Sequence, residues 1–230
     1  MRLMPFTFGL LAVGLSAAVA GCSPALPEKP AADASSSAAA KPALSFPAGD
    51  YRLDKSHASL TFSVNHLGFT AYTAGFDDFD VQLSLDPQHP EAAKVTATVA
   101  VTSLDLPTPP KGFHDTLMSA QWFDAAKYPQ MQFVSTRVEV TGTDAAKVHG
   151  DLTLHGVTKP VVLDAKFNGG YPGFAPYDPN ARVGFSLSGV LKRSDFGLSY
   201  GIPEPGTTMG VGDEVSLRIE AELIGPPLKS

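Results

Sequence analysis

The chain has 230 residues, of which 43% are hydrophobic and 17% are charged, a composition that suits one folded domain with a sizeable core. Seventeen Lys and Arg residues against 23 Asp and Glu residues give a net charge of −6 at pH 7, and no segment gathers the basic residues into a stripe. Nucleic acid is therefore excluded as a leading partner, because neutralising its phosphates requires clustered Lys and Arg side chains.

The N-terminal segment, MRLMPFTFGLLAVGLSAAVAGC, has the layout of a secretory signal: Arg2, then an apolar run, then small residues before Cys22. The apolar run is too short for a transmembrane helix. Its end, VAGC, resembles the lipobox of bacterial lipoproteins, with Val19 in place of the usual leucine. Cys22 is the only cysteine, so an intramolecular disulfide is impossible, and the alternative to acylation is a free thiol. We predict a signal peptide at residues 1–21 and a lipid on Cys22 that holds the protein at a membrane.

Residues 22–47 are rich in Pro, Ala and Ser and contain few large apolar side chains. Such a segment buries too little surface to offset its ordering entropy, so it predicts a flexible linker. Ser23 follows the predicted anchor, whereas an aspartate at that position is associated with inner-membrane retention in some bacteria. We therefore expect a periplasm-facing lipoprotein, with the outer membrane favoured.

Residues 48–225 alternate between apolar and polar side chains, which is typical of strands with one buried face. In SLTFSVNH, Leu60, Phe62 and Val64 share a face, and FDVQLSLD repeats the pattern from Phe79 and Val81. The same alternation occurs in KVTATVAV, FVSTRVEV, KVHGDLTL, PVVLDAKF, RVGFSLSGVL and EVSLRIEAEL. The sequence predicts an all-β domain of about eight or nine antiparallel strands.

Residues 114–129, HDTLMSAQWFDAAKYP, interrupt this pattern with helix formers followed by proline, which predicts one or two short helical turns. A single helical insert in a long antiparallel meander favours a closed β-barrel with a lid or plug, because closure leaves no exposed sheet edge. A sandwich of two sheets would give the same alternation, so periodicity leaves that alternative open.

The sequence offers no convergent set of reactive groups. It lacks a G-x-S-x-G elbow, and its six histidines form no H-x-H or H-x-x-x-H pair. Asp77 and Asp78 would point to opposite faces of a strand, which favours a solvated turn over a pair of catalytic carboxylates. We predict a non-enzymatic protein with no metal site and no required cofactor.

The chain contains 14 Phe, six Tyr and one Trp, more rings than catalysis needs. A small barrel either fills its interior with such side chains or leaves space for one apolar ligand, and packing in the core is the favoured interpretation of any single ring. Phe69 and Tyr72 are predicted in a connection near one end of the barrel, whereas Phe79 continues an inward face.

Several motifs, taken in order, resemble the YceI-like proteins, the lipocalin-like polyisoprenoid-binding family. They are YRLDKSHASLTFSVNHLGF, GFDDFD, SAQWFDAAKYPQMQF, VHGDLTLHGVTKPVVL, RSDFGLSYG and VGDEVSLRIEAEL, and they cover about residues 49–224. The resemblance implies an extended antiparallel barrel of about eight strands with a short helical insert around an elongated apolar channel. It also implies binding of a polyprenyl lipid or an isoprenoid quinone in the periplasm, and it allows a homodimer.

One motif departs from the family pattern just before the helical insert, where many members carry an Arg-Asp pair followed by a His-Leu. Phe113 and His114 stand where the Arg-Asp would be, and Thr116 stands where the histidine would be. If those polar groups contact a ligand head group in relatives, this protein would prefer a less polar head. Phe113, His114 and Trp122 are the predicted channel mouth.

These observations predict a lipid-anchored protein that sequesters or transports a long-chain isoprenoid lipid or a similar amphiphile. The alternative is a filled barrel that serves as an envelope interaction or stress-related module, with exposed loops such as residues 169–181 docking a partner. The predicted channel lining consists of Phe62, Val64, Phe79, Val81, Phe133, Phe185 and Leu187.

Overall fold

The computed structural model describes residues 46–228, and the predicted signal peptide, Cys22 and most of the predicted linker lie outside these residues. The strands are β1 Gly49–His66, β2 Thr70–Phe76, β3 Phe79–Leu85, β4 Lys94–Ala100, β5 Leu104–Asp105, β6 Gln130–Val140, β7 Ala145–Leu154, β8 Val157–Tyr171, β9 Asn180–Lys192 and β10 Val211–Pro227. One α-helix, α1, spans Phe113–Met118. Within the described residues, no helix is long and apolar enough to cross a membrane.

The sheet closes into a barrel because β1 pairs with β10. This antiparallel pairing runs from Arg52 opposite Ile224 to His66 opposite Val211. From β10 the ring continues through β9, β8, β7, β6, β4 and β3 and returns to β1, which makes eight strands. The predicted all-β antiparallel barrel of about eight strands is thereby confirmed, and the two-sheet sandwich is excluded.

β1 has two neighbours on the side away from β10. Its start, from Gly49 to Arg52, pairs with β3, and its end pairs with β2. The turn between β2 and β3 contains Asp77 and Asp78, both exposed, as the sequence predicts. The prediction that Tyr72 lies in a connection is wrong, because Tyr72 lies within β2. The threonine and tyrosine residues of this segment favour β structure, so the sheet continues directly after a short turn.

Inward-facing side chains pack tightly at both ends of the barrel. At the end where β1 begins, the buried residues are Tyr51, Leu53, Phe79, Leu83, Leu85, Ala181, Val183, Ala221 and Leu223, which we call the Tyr51 cluster. At the opposite end, the buried residues include Phe76, Val101, Leu104, Leu106, Leu117, Met131, Leu154, Phe196 and Leu198, which we call the Phe196 cluster. Each cluster is a packed apolar core at its end of the barrel.

The helical insert contributes to the Phe196 cluster. Gly112, with a φ of 78°, precedes α1, and Leu117 is the buried residue of the helix. Turns follow as far as Lys127, and Trp122 and Phe123 pack against the cluster from this segment. The predicted short helical insert is therefore confirmed, and it lies over one end of the barrel.

Packing at the Tyr51 end can be tested with one substitution made at two sites. Val183 is 1% exposed in the Tyr51 cluster, whereas Val140 is 47% exposed at the end of β6. We expect Val183→Ala to lower the free energy of unfolding by about 2 kcal/mol, because it removes two buried methyl groups and leaves a cavity. Val140→Ala should change it by less than about 0.5 kcal/mol.

Urea unfolding followed by the fluorescence of the single tryptophan measures both valine variants. Equal losses of stability in the two variants would contradict the assignment of Val183 to a tightly packed end.

Candidate functional site

The middle of the barrel differs from its two ends. Between the clusters, the inward apolar side chains are half-buried, and they are Leu60, Phe62, Val81, Val95, Ala97, Val99, Phe185, Leu187, Leu217 and Ile219. Side chains packed to the density of a normal protein interior would leave these positions buried. A ligand space inside the barrel would lie along these partly exposed inward positions, and we call this belt of side chains the channel.

The seven predicted lining residues all lie on the inward side of their strands, but they fall into two groups. Phe62, Val81, Phe185 and Leu187 are half-buried in the channel. Val64, Phe79 and Phe133 are each 8% exposed and belong to the packed wall. Their role in lining a ligand site stays a prediction.

Phe133 illustrates the packed part of the wall. It lies with Val148 and Leu163 in a third buried cluster along β6, β7 and β8. Its ring lies so close to Gly150 that any side chain at that glycine would overlap it. Because the neighbouring strand has no side chain there, the ring is fixed against the sheet rather than extended into the channel.

The three predicted mouth residues lie near the helical insert and have different surroundings. Phe113 is 38% exposed, and the His114 ring nitrogen Nδ1 is 3.9 Å from the Asp115 carboxylate. Trp122 is half-buried, with its ring centroid 5.2 Å from that of Tyr200 in an edge-on arrangement. The tryptophan is therefore part of the packed end, whereas Phe113 and His114 lie nearer the surface, and the mouth assignment stays a prediction.

Arg193 organises the same end of the barrel, and the sequence analysis missed it. Its buried guanidinium donates hydrogen bonds of 2.6–2.9 Å to the backbone carbonyl oxygens of Leu198, Tyr200, Val211 and Gly212. It also lies 5.8 Å from the ring centroid of Trp122. Burial lowers the pKa of Arg193, but an arginine remains charged at neutral pH. The four acceptors compensate for burying that charge and join the segment after β9 to the start of β10.

A second arginine, Arg182, binds three carboxylates at the opposite end. Its Nη1 donates to Asp54 at 2.6 Å and to Glu222 at 2.5 Å, and its Nε donates to Asp178 at 2.6 Å. The hydrogen bond from Arg182 lowers the pKa of Asp178 to about 2. Hydrogen bonds from Ser56, Arg182 and His57 hold the pKa of Asp54 well below its usual range. Asp54 and Asp178 are therefore ionised at neutral pH, and together with Arg182 and Glu222 they form a network on the outside of the Tyr51 end.

The same network brings together three potential metal ligands, since ligand atoms of Asp54, His57 and Glu222 all lie within 4.8 Å of one another. Both carboxylates already bind the Nη1 group of Arg182. A guanidinium thus occupies the space between them and neutralises the charge that would attract a cation. We interpret the cluster as an ion-pair network rather than a metal centre.

Comparison with known proteins identifies relatives over most of the barrel. A family model described as the YceI-like domain matches residues 51–223. Protein YceI from Escherichia coli O17:K52:H18 is 39% identical over 178 residues, which are 76% of this chain and 86% of that protein. A UPF0312 protein from Pseudomonas savastanoi pv. phaseolicola is 41% identical over 153 residues, which are 66% of this chain and 77% of that protein.

Solved structures share the fold. BcnA from Burkholderia cenocepacia has a TM-score of 0.60 at 25% identity, covering 74% of this chain and 98% of that one. The YCEI protein of Campylobacter jejuni has a TM-score of 0.57 at 30% identity, covering 72% and 90%. A polyisoprenoid binding domain from Saccharophagus degradans, implicated in plant cell wall breakdown, has a TM-score of 0.57, covering 76% and 98%. Its identity of 15% shows likeness of fold alone.

The Arg182 network predicts how stability depends on pH. In the folded protein the pKa of Asp178 is about 2 against an ordinary value of 3.8, so between these values the folded state binds fewer protons than the unfolded state. The stability from this contact is therefore full above pH ~4 and is lost as the pH falls toward ~2. Arg182→Met should lower stability at pH 7, because three facing carboxylates lose their shared cation.

The arginine variant should also show the opposite pH dependence above pH ~4, since protonating the repelling carboxylates relieves their repulsion. We expect the urea midpoint of Arg182→Met to rise as the pH falls from about 7 to about 4.5. Arg218→Met is the matched control, because Arg218 is 76% exposed and pairs with Glu220 alone. An unchanged pH profile in Arg182→Met would contradict the role given to Arg182.

Proposed function

Because the chain belongs to the YceI-like domain family, we propose that its barrel binds a long-chain isoprenoid lipid or a similar amphiphile and sequesters or transports it without chemical change. The observation that carries this proposal is the channel, whose apolar side chains are half-buried between two packed ends. An elongated apolar space inside a closed sheet suits an elongated apolar chain.

Apolar burial supplies enough free energy for such a ligand. Transfer from water yields about 25 cal/mol per Å² of apolar surface, so a chain that buries about 400 Å² gains roughly 10 kcal/mol before association and ordering costs. Few polar contacts are needed under these conditions. Selection among ligands would depend on channel length and on the groups at the channel ends.

The fold shared with the polyisoprenoid binding domain of Saccharophagus degradans is compatible with this ligand class. We further propose that an acyl group on Cys22 anchors the barrel to a membrane of the bacterial envelope, facing the periplasm, with the outer membrane favoured. A polyprenyl lipid or an isoprenoid quinone in that membrane would be the ligand. No chemical step is required of the barrel for either molecule.

A second candidate function is docking of a partner through the loop that follows β8. Phe174 is 66% exposed and Tyr177 is 90% exposed in this loop. Exposed aromatic side chains of this kind are common in protein interfaces. A filled barrel could serve this function without a stored ligand. Whether the interior is hollow or filled therefore separates the two candidate functions.

Native mass spectrometry of the protein purified from its own membranes tests the first function directly. We expect a bound mass in the range of a polyprenyl lipid or an isoprenoid quinone, together with uptake of a fluorescent polyprenyl probe by the delipidated protein. Repeated absence of both would contradict the proposed function.

A matched pair of variants distinguishes a hollow interior from a filled one. Ala97 is half-buried between Val81 and Phe133 on the inward face, whereas Ala71 is exposed on β2. In a hollow barrel, Ala97→Phe should change the free energy of unfolding by less than ~1 kcal/mol while sharply lowering probe uptake, because the ring extends into the channel. Ala71→Phe should leave uptake unchanged.

In a filled barrel, the ring at position 97 would have no space and would destabilise the protein by about 1–3 kcal/mol. Urea unfolding and probe titration on both alanine variants therefore give opposite results for the two candidates.

A further inference from the structure

The hydrogen-bonded pairing of β8 with β9 ends short of the Phe196 cluster, although Gly189 of β9 still lies against the backbone of Val162. The two strands pair from Tyr171 opposite Arg182 to Asp164 opposite Ser188. Beyond this point β8 stays with β7 as far as Val157, and β9 stays with β10 as far as Lys192. Among the described residues, no pairing joins 157–163 of β8 to 189–192 of β9. We call this unpaired region the β8–β9 slot.

A cavity of about 750 Å³ occupies the slot. It is lined by Val162 and Val190, which are exposed on the outer face, and by Val161 and Leu191, which pack against the Phe196 cluster on the inner face. Phe196, itself 1% exposed, also contributes to its lining. Residues from outward and inward positions border the same space, so the cavity lies at the facing edges of the two strands. Its volume is in the usual range for small-molecule sites.

Lys159 is the unexpected residue of this cavity. It occupies an inward position on β8, in alternation with Val157, Val161 and Leu163, and opposite Leu152 of β7. A lysine at such a position in a closed wall would be buried without a partner. The slot leaves Lys159 exposed instead, and within residues 46–228 no carboxylate lies within ion-pairing distance of it.

The other cations around the cavity have an acidic residue near them on the same or the adjacent strand. Arg137 and His149 both contact Glu139, and Lys192 lies opposite Glu214 in the β9–β10 register. The remaining acidic residue in the lining, Asp195, is exposed on the short 3₁₀ turn after β9. Lys159 differs from these cations, because its partner on the adjacent strand is the apolar residue Leu152 and not a carboxylate.

The open edges are poorly suited to binding a peptide strand. Pro160 lies in the part of β8 that pairs with β7 but not with β9. Proline has no N–H group to donate to an added strand. Lys159 and Lys192 flank the slot, and lysines at sheet edges oppose strand addition. These features favour a small amphiphile over a polypeptide as the occupant.

We propose that the β8–β9 slot is a lateral binding site for an amphiphile with an anionic, phosphate-like head group. Lys159 binds the head as a point charge, and the apolar chain passes between Val161 and Leu191 into the channel. The head stays in water at the slot while the chain is desolvated inside. This inference rests on the proposed function, because the apolar chain of the ligand would end in the channel.

Two probes that differ in the head group test the inference: geranylgeranyl monophosphate and geranylgeraniol. We expect Lys159→Met to weaken binding of the phosphate by about fivefold, the effect of one partly exposed ion pair, and to leave binding of the alcohol unchanged. Lys166→Met, an outward lysine on the same strand, is the matched control and should change neither affinity. Added NaCl should weaken binding of the phosphate alone.

The outcomes separate the two proposals. If the wild-type protein binds neither probe, the proposed function is overturned and the inference with it. If the protein binds both probes and Lys159→Met alters neither affinity, the slot proposal is overturned while the proposed function stands. Inorganic phosphate at the concentration of the probe should displace neither ligand. Effective competition by it would indicate a site for the free anion and would also overturn the slot proposal.

Discussion

The antiparallel pairing of β1 with β10 is the interaction on which the rest of the structure depends. Without it, the sheet would have two long edges and its apolar face would meet water. With it, alternate side chains from eight strands face one interior, which is lined mainly by apolar groups. Since the pairing joins the first strand to the last, the interior cannot form until the whole domain is available, and such non-local pairing slows folding.

The sequence predicts the composition of the wall better than the state of the interior. Alternation of side chains is local geometry, so Phe62, Phe185 and Leu187 could be assigned to the inward face. Whether that face surrounds packed side chains or empty space depends on how the strands close, which no local pattern contains. Tyr72 was misplaced for a related reason, because a turn as short as Leu67–Phe69 gives little signal between two strands.

Two charged residues at inward positions could have been noticed in the sequence, because each interrupts an apolar alternation. Arg193 follows Leu191 on the inward face, and Lys159 precedes Val161. Their surroundings could not have been predicted. Arg193 donates to carbonyl oxygens of two separate segments, whereas Lys159 lies where the pairing of β8 with β9 has ended. The same departure from the pattern thus has a structural role in one case and a proposed binding role in the other.

Arg193 also limits how the barrel can open and close. Its acceptors lie at Leu198 and Tyr200 after the 3₁₀ turn and at Val211 and Gly212 in β10. Moving either segment away would leave a buried cation without its acceptors, at a cost of several kcal/mol. The segments that Arg193 joins are therefore held in place at this end of the barrel and do not move as a gate. Exchange of the proposed ligand would occur around them, past α1 or through the side wall.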